Sequence, residues 1–295
     1  MNPLFLDLSG NLNLSAKIRH RIGADLGELH IRSFPDGESS MALKSEVHGR
    51  SIVIMTDLSH PNEKVLPLFL LTRILRERKA QEIILIAPYL PYMRQDAEFK
   101  LGESKLAKHF ASLMSDHVDK LITVEPHLHR IHDLNDIFTI PTANAHSRQS
   151  VVEWIIKHID NPVIIGPDME STQWVAPVAG ELSQPYLVAE KMRKGDKDVS
   201  IFIDGLNDYR EYTPVVIDDI ISTGFTMAGI GEHLKFEGFD NSVCIATHAI
   251  FVEDAYLRLT QSQFAQVVTT NTIPHMSNQV DVSEEISRAY ASLVT

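Results

Sequence analysis

Short β-branched runs alternate with amphipathic stretches along this chain, and that alternation limits its fold more than any other feature. Ser51–Asp57, Glu82–Pro88, Lys120–Glu125, Pro162–Gly166, Pro214–Ile217 and Ser242–Ala246 are almost continuously apolar. Strands covered by helices on both faces need that pattern, because neither face meets water. Asn62–Arg78, Glu103–Ser115, Arg148–His158, Thr226–Glu237 and Ser283–Leu293 read as helices. The first of these follows Pro61 and ends in basic residues, as a helix should. The expected class is α/β, with mostly parallel sheets flanked by helices. Glu28–Val47 departs from the rhythm. It reads as extended pieces broken at Pro35-Asp36-Gly37, where proline sets φ and glycine permits a positive one.

At 295 residues the chain suggests two domains, each long enough to bury a core. Subtracting 39 acidic from 27 basic residues leaves a net charge of −12, which repels a phosphate backbone, so nucleic acid is not an expected partner. The single cysteine, Cys244, excludes an internal disulfide framework and fits a reducing compartment. Met1–Gly10 lacks a secretory signal pattern, and no apolar run is long enough to span a membrane, so a cytoplasmic location is expected. The best seam is the polar stretch Asn144–Ser147. Lys191–Ser200 is polar and basic and is expected to be a mobile loop, with a plain solvated turn as the alternative.

The most informative run is Thr213–Met227, TPVVIDDIISTGFTM. An apolar strand meets two acids, then a hydroxyl-rich glycine loop, then a helix start. Backbone N–H groups of such a loop and first helical turn can surround a phosphate, and Ser222, Thr223 and Thr226 add hydroxyl donors. The carboxylates of Asp218 and Asp219 repel that phosphate and suit vicinal hydroxyls or a hydrated divalent cation. A 5-phosphoribosyl group meets both demands. A P-loop is excluded, since no Gly-Lys-Ser/Thr occurs.

This run is similar to the loop that binds 5-phosphoribosyl 1-diphosphate (PRPP) in type I phosphoribosyltransferases and ribose-phosphate pyrophosphokinases. FPDGE (Phe34–Glu38), PYLPYMRQD (Pro88–Asp96), TVEPH (Thr123–His127), GPD (Gly166–Asp168), EKMR (Glu190–Arg193), ATHAIF (Ala246–Phe251) and NTIP (Asn271–Pro274) occur in the order of the pyrophosphokinases. Simple phosphoribosyltransferases lack the amino-terminal half of this set. The resemblance covers nearly the whole chain, and the Ile-Ser-Thr-Gly form of the loop resembles an archaeal-type branch.

The resemblance implies two phosphoribosyltransferase-like domains with the active site between them. Residues 1–145 with the returning helix 283–295 would bind ATP, and 146–282 would bind ribose 5-phosphate. The implied reaction moves the β,γ-diphosphoryl group of ATP to the C1 hydroxyl of ribose 5-phosphate, with Mg²⁺. Phe34, Asp36, Gly37 and Glu38 would border the adenine. Arg94 and Gln95 would contact ATP, with Asp96 as a further nucleotide contact or a supporting acid. His127 and Asp168 would be the metal ligands. A transition-metal reading of His127, His129 and His132, and a helix-capping role for Asp168, are the alternatives. Lys191 and Arg193 would close over the reacting phosphates as the catalytic cations, Arg193 also reaching the sugar phosphate. Asp218 and Asp219 would hold the ribose hydroxyls, and Ser222, Thr223, Gly224, Phe225 and Thr226 the 5-phosphate. Phe225 stands where the family usually has a second glycine, so the loop must keep it at negative φ. Met192, Pro126 and His129 also depart from the family pattern. Self-association as a dimer or larger is implied. The alternatives are a PRPP-consuming phosphoribosyltransferase and a catalytically silent regulatory subunit.

Overall fold

The computed structural model describes every residue except Phe99, residues 195–197 and Thr295, and only the backbone of residues 191–194 and 198–200. The chain divides into two compact units, Met1–His146 with Val282–Thr295, and Ser147–Asp281.

The first unit runs β1 (Leu4–Asp7), α1 (Leu12–Arg21), β2 (Asp25–Leu26), β3 (Leu29–Ser33), β4 (Ser39–Leu43), β5 (Ser51–Met55), α2 (Pro61–Glu77), β6 (Glu82–Ala87), α3 (Leu106–Ser115), β7 (Lys120–Val124) and β8 (Thr142–Ala145). Its sheet has the order β2-β1-β5-β6-β7-β8, and every pairing is parallel. β3 and β4 form a separate antiparallel hairpin. Successive residues of the inner strands enter opposite cores. Ile52 and Ile54 pack with Leu68, Leu71 and Phe110 on one side, whereas Val53 and Met55 pack with Leu14 and Ile18 on the other. This two-sided burial is why the strands read as unbroken apolar runs.

The second unit runs α4 (Arg148–His158), β9 (Pro162–Gly166), α5 (Thr172–Leu182), β10 (Tyr186–Lys194), β11 (Asp198–Ile203), β12 (Thr213–Ile221), α6 (Phe225–Phe236), β13 (Val243–Ala249), α7 (Ala255–Gln261), β14 (Gln266–Thr270) and β15 (Asn278–Val280). The sheet order is β11-β10-β9-β12-β13-β14-β15, parallel except for the β10–β11 pair. Val216 faces the core under α6, and Val215 and Ile217 face the core under α4 and α5. The final helix, α8 (Ser283–Val294), belongs to the first unit, where Ile286, Ala289 and Tyr290 pack with Phe5 and Ile18.

Two of the expected segments differ from expectation, and β1, α1, β2, β8, α5, α7, β14 and β15 lie where no element was expected. β12 does not stop at Ile217 but continues through both acids, with Asp218 opposite Ala246 and Ile220 opposite His248. The reason lies beyond the acids: Ile221 is fully buried, so the strand has apolar cargo to carry past them. Lys191–Ser200, expected as a loop, contributes to an antiparallel ribbon in which Lys191 pairs with Ile201 and Arg193 with Val199. The overlooked signal is the alternation of Asp198 and Ser200 with Val199 and Ile201, running into the apolar Ile201–Ile203, which is a strand pattern inside a polar neighbourhood.

Candidate active site

In a parallel sheet, ligands collect at the carboxyl ends of the strands. The carboxyl-terminal part of β12 supplies Asp218, half-buried, and Asp219, buried. The neighbouring strand β9 leads into Asp168, whose Oδ1 accepts from the Ser171 N–H at 3.1 Å and caps a short 3₁₀ turn. The capping alternative for Asp168 is therefore realised, and it leaves the second carboxylate oxygen for other work. Asp218 Oδ1 accepts from the Asp219 N–H at 3.0 Å. The Asp218 carboxyl is held well above the usual carboxylate range, first by burial, then by the charge of Asp219, with a further push from Asp168. Asp219 and Asp168 thus add negative charge around the buried Asp218, which a pair of hydroxyls or a cation would relieve, although among the described residues these acids form no ready-made metal-holding group.

Immediately after β12 comes the loop Ser222–Gly224. Its carbonyls, and that of Ile221 before it, are all engaged. Ile221 O accepts from Phe251 N at 3.0 Å, Ser222 O from Val252 N at 3.1 Å, Thr223 O from Arg258 Nη1 at 3.2 Å, and Gly224 O from Ala228 N at 2.8 Å. The N–H groups of Ser222, Thr223, Gly224 and Phe225 meet no protein acceptor among the described residues. Four such donors at the start of α6 are the kind of arrangement that can receive an anion. Gly224 makes the turn at φ +74°, and a Cβ there would lie 3.3 Å from the Ala255 carbonyl oxygen, so conformation and space both favour glycine. Phe225 is the first residue of α6 and takes negative φ. Its ring is 64% exposed and lies beneath the Arg258 guanidinium, 3.8 Å from Cζ to the ring centroid. Arg258 was not legible as part of this loop, because it lies far along the chain and belongs to no motif.

In the first unit, β6 and β7 are neighbours, and the segments following them carry the other candidates. Tyr92 turns the first segment at φ +67°, and the Gln95 N–H donates to its carbonyl. Arg94 and Gln95 are exposed beyond this turn. Asp96 is different. Its side chain is only 3% exposed and accepts from Arg130 Nη1 at 3.0 Å and from the Arg130 N–H at 3.1 Å. It therefore ties the Arg94–Asp96 segment to the one holding His127, a supporting role rather than a facing one. His127 is half-buried two residues beyond Val124–Glu125, where Glu125 bends the chain at φ +35°. Among the described residues no group of three or more His, Cys, Asp and Glu could hold a metal, so His127, His129 and His132 do not make a transition-metal cluster.

The β3–β4 turn brings Phe34, Asp36, Gly37 and Glu38 together. Phe34 N donates to Glu38 O at 2.7 Å, Asp36 Oδ1 accepts from the Glu38 N–H at 3.1 Å, and Gly37 takes φ +94°. Arg32 lies over the half-exposed Phe34 ring at 4.9 Å. Lys191 and Arg193 lie on the backbone of β10, and their side chains fall outside the described residues.

Two family models match in tandem: the N-terminal domain of ribose phosphate pyrophosphokinase over residues 4–117, and the phosphoribosyl transferase domain over 142–284. A ribose-phosphate pyrophosphokinase of Methanopyrus kandleri is 29% identical, covering 98% of this chain and 99% of its own. One from Sulfolobus acidocaldarius is 31% identical, covering 89% of this chain and 91% of its own. The crystal structure of phosphoribosylpyrophosphate synthetase from Mycobacterium smegmatis shares the fold with a TM-score of 0.87 at 21% identity, over 100% of this chain and 99% of that one. Likeness from end to end, in sequence as well as in the pairing of two domain types, makes the chain a member of the ribose-phosphate pyrophosphokinase family.

Proposed function

We propose that the protein transfers the β,γ-diphosphoryl group of ATP to the C1 hydroxyl of ribose 5-phosphate, releasing AMP and forming PRPP. The observation that carries this reading is the run of four N–H donors at Ser222–Phe225 directly beyond the acids Asp218 and Asp219. A sugar with a phosphate at one end and a diol at the other satisfies both halves. These N–H groups, with the hydroxyls of Ser222, Thr223 and Thr226, take the 5-phosphate, while Asp218 and Asp219 accept from the ribose hydroxyls.

On the nucleotide side, Phe34, Asp36, Gly37 and Glu38 border the adenine, and Arg94 and Gln95 reach the nucleotide. Asp96 acts through Arg130 to keep the two strand-end segments in register. Lys191 and Arg193 supply positive charge where it develops on the transferring group and the departing AMP oxygen.

Mg²⁺ fits this chemistry. A hard cation that keeps most of its waters needs only one or two carboxylates, and Asp218, raised first by burial, also feels the charges of Asp219 and Asp168, which a cation would offset. Asp168 and His127 are each candidate ligands by the family resemblance, the imidazole being the less usual donor for such an ion. When bound with ATP, the ion supplies charge neutralisation to the phosphates. The residues of this chain orient the two substrates around that charge.

The loop's Ile-Ser-Thr-Gly form supports a place near the archaeal-type branch. Self-association and a cytoplasmic location belong to the same proposal. Supporting the first are the exposed Leu66, Leu70 and Leu113, beside an apolar cavity of about 620 Å³ between α2 and α3.

The test is direct. Purified protein is incubated with ATP, Mg²⁺ and ribose 5-phosphate, and AMP and PRPP are quantified. AMP formed only with the sugar present supports the reading. Consumption of PRPP with a purine or pyrimidine base, or saturable binding of both substrates without product, rejects it.

A further inference from the structure

We propose that Arg258 is a positioning residue for the Ser222–Gly224 loop, and that it works as a pair with Phe225. The inference rests on that loop being the site of the sugar 5-phosphate.

In a trans peptide the C=O and N–H point in opposite directions, and the described chain has no cis bond. Fixing a carbonyl on one side of the loop therefore fixes the next N–H on the other. The carbonyls of Ile221 and Ser222 are held by backbone donors, Phe251 N and Val252 N, from the segment joining β13 to α7. The carbonyl of Thr223 has no such backbone donor. Its partner is the side chain of Arg258, at 3.2 Å. This is also the peptide most able to flip, since Thr223 is exposed and the following Gly224 tolerates either sign of φ. Arg258 thus decides whether the Gly224 N–H faces the anion.

The guanidinium needs its own anchor. At its base, the Arg258 N–H donates to Asp254 O at 2.8 Å within the first turn of α7. At its tip it lies over the Phe225 ring, Cζ being 3.8 Å from the ring centroid. A guanidinium stacked on an aromatic face keeps its planar fork of donors free to hydrogen-bond at the edge. A glycine at position 225 would offer no such platform. The aromatic residue in the loop and the arginine in α7 are in this view one device.

The experiment uses the full chain and four variants: Arg258→Gln, Arg258→Lys, Phe225→Gly, and Phe225→Gly with Arg258→Gln. Steady-state kinetics vary each substrate separately, and inorganic phosphate is titrated calorimetrically without nucleotide. Arg258→Gln is expected to raise the KM for ribose 5-phosphate about tenfold or more and to weaken phosphate binding similarly. The KM for ATP and kcat should stay within about twofold, and the melting temperature should barely move. Arg258→Lys should recover part of the loss, because it restores a charged donor without the stacking plane. Adding Arg258→Gln to Phe225→Gly should cost little more than either change alone, as expected for groups acting as a unit.

Unchanged phosphate affinity in Arg258→Gln overturns the proposal, as does an equal rise in both KM values or full multiplicativity of the two changes. Failure of the underlying functional reading looks different. If the parent makes no PRPP yet phosphate binding depends on Arg258, the pairing stands and the substrate assignment falls. If both proteins make PRPP with the same KM for the sugar, the reverse holds.

Discussion

Asp218 shows how burial and neighbouring charge act together on the stability contribution of a single residue. Burial and the neighbouring Asp219 and Asp168 hold its carboxyl above the ordinary 3.8. A raised value means that the folded state binds the proton more tightly than the unfolded chain does. The associated stability is complete below 3.8 and is lost as pH rises through the raised value. Asp218→Asn cannot ionise, so without ligand it should melt higher than the parent at neutral pH, the difference shrinking toward acid. The same variant should bind ribose 5-phosphate at least about tenfold more weakly, a loss of about 1.4 kcal/mol. Thermal scans from acid to neutral pH check the first half and calorimetry the second; a lower neutral melting point contradicts the account. Lys191→Ala tests the transition-state role. It should cut kcat about 10²–10³-fold while leaving the KM for ATP nearly unchanged, as removal of one donor to a developing charge does. Equal losses in kcat and in ATP affinity would make Lys191 a binding residue only.

At the scale of elements, the strands do two jobs. Their middles are filled by residues such as Ile84 and Ile164, fully buried in the two sheets, while their carboxyl ends carry polar side chains. Ile84→Ala should therefore lower stability by about 2–5 kcal/mol with no change in either KM. Chemical denaturation measures the first, and kinetics at low temperature the second. Most elements were legible because their periods are strong: α4 was expected at Arg148–His158 and is found there. Several elements, among them β1, α1, α5, α7 and β14, were not picked out from the sequence; two segments that were misread share a cause. The carboxyl-terminal half of β12 is masked by two acids, and the β10–β11 ribbon by a polar composition, so a one-dimensional pattern is dominated by charge where the backbone still pairs. The Ser222–Gly224 loop is a middle case. Its hydroxyls and glycine were plain, but the segment Phe251–Arg258 that orients its carbonyls was not, since donors from 30 or so residues away leave no local trace.

For the whole molecule, the net charge of −12 opposes the approach of anionic substrates at long range. Rising ionic strength should screen that long-range repulsion while weakening the close contacts less. Exposed leucines on α2 and α3 are the kind of surface that a monomer seldom leaves in water. Sedimentation velocity should accordingly find a dimer or larger species at micromolar concentration, and a strictly monomeric, fully active chain would refute self-association. The amino-acid sequence by itself determined the α/β class, the succession of strands and helices, and the run from Asp218 to Thr226 that holds the acids and the anion loop together. These are local matters, set by the period of apolar residues and by chemistry adjacent along the chain. Only the tertiary structure decided that Asp96 is committed to Arg130, that Asp168 adds its charge to Asp218, and that Arg258, lying over Phe225, donates to the Thr223 carbonyl. The physical reason is that charges and donors act through space over a few ångströms, and which distant residues come that close is settled by how strands order themselves in a sheet.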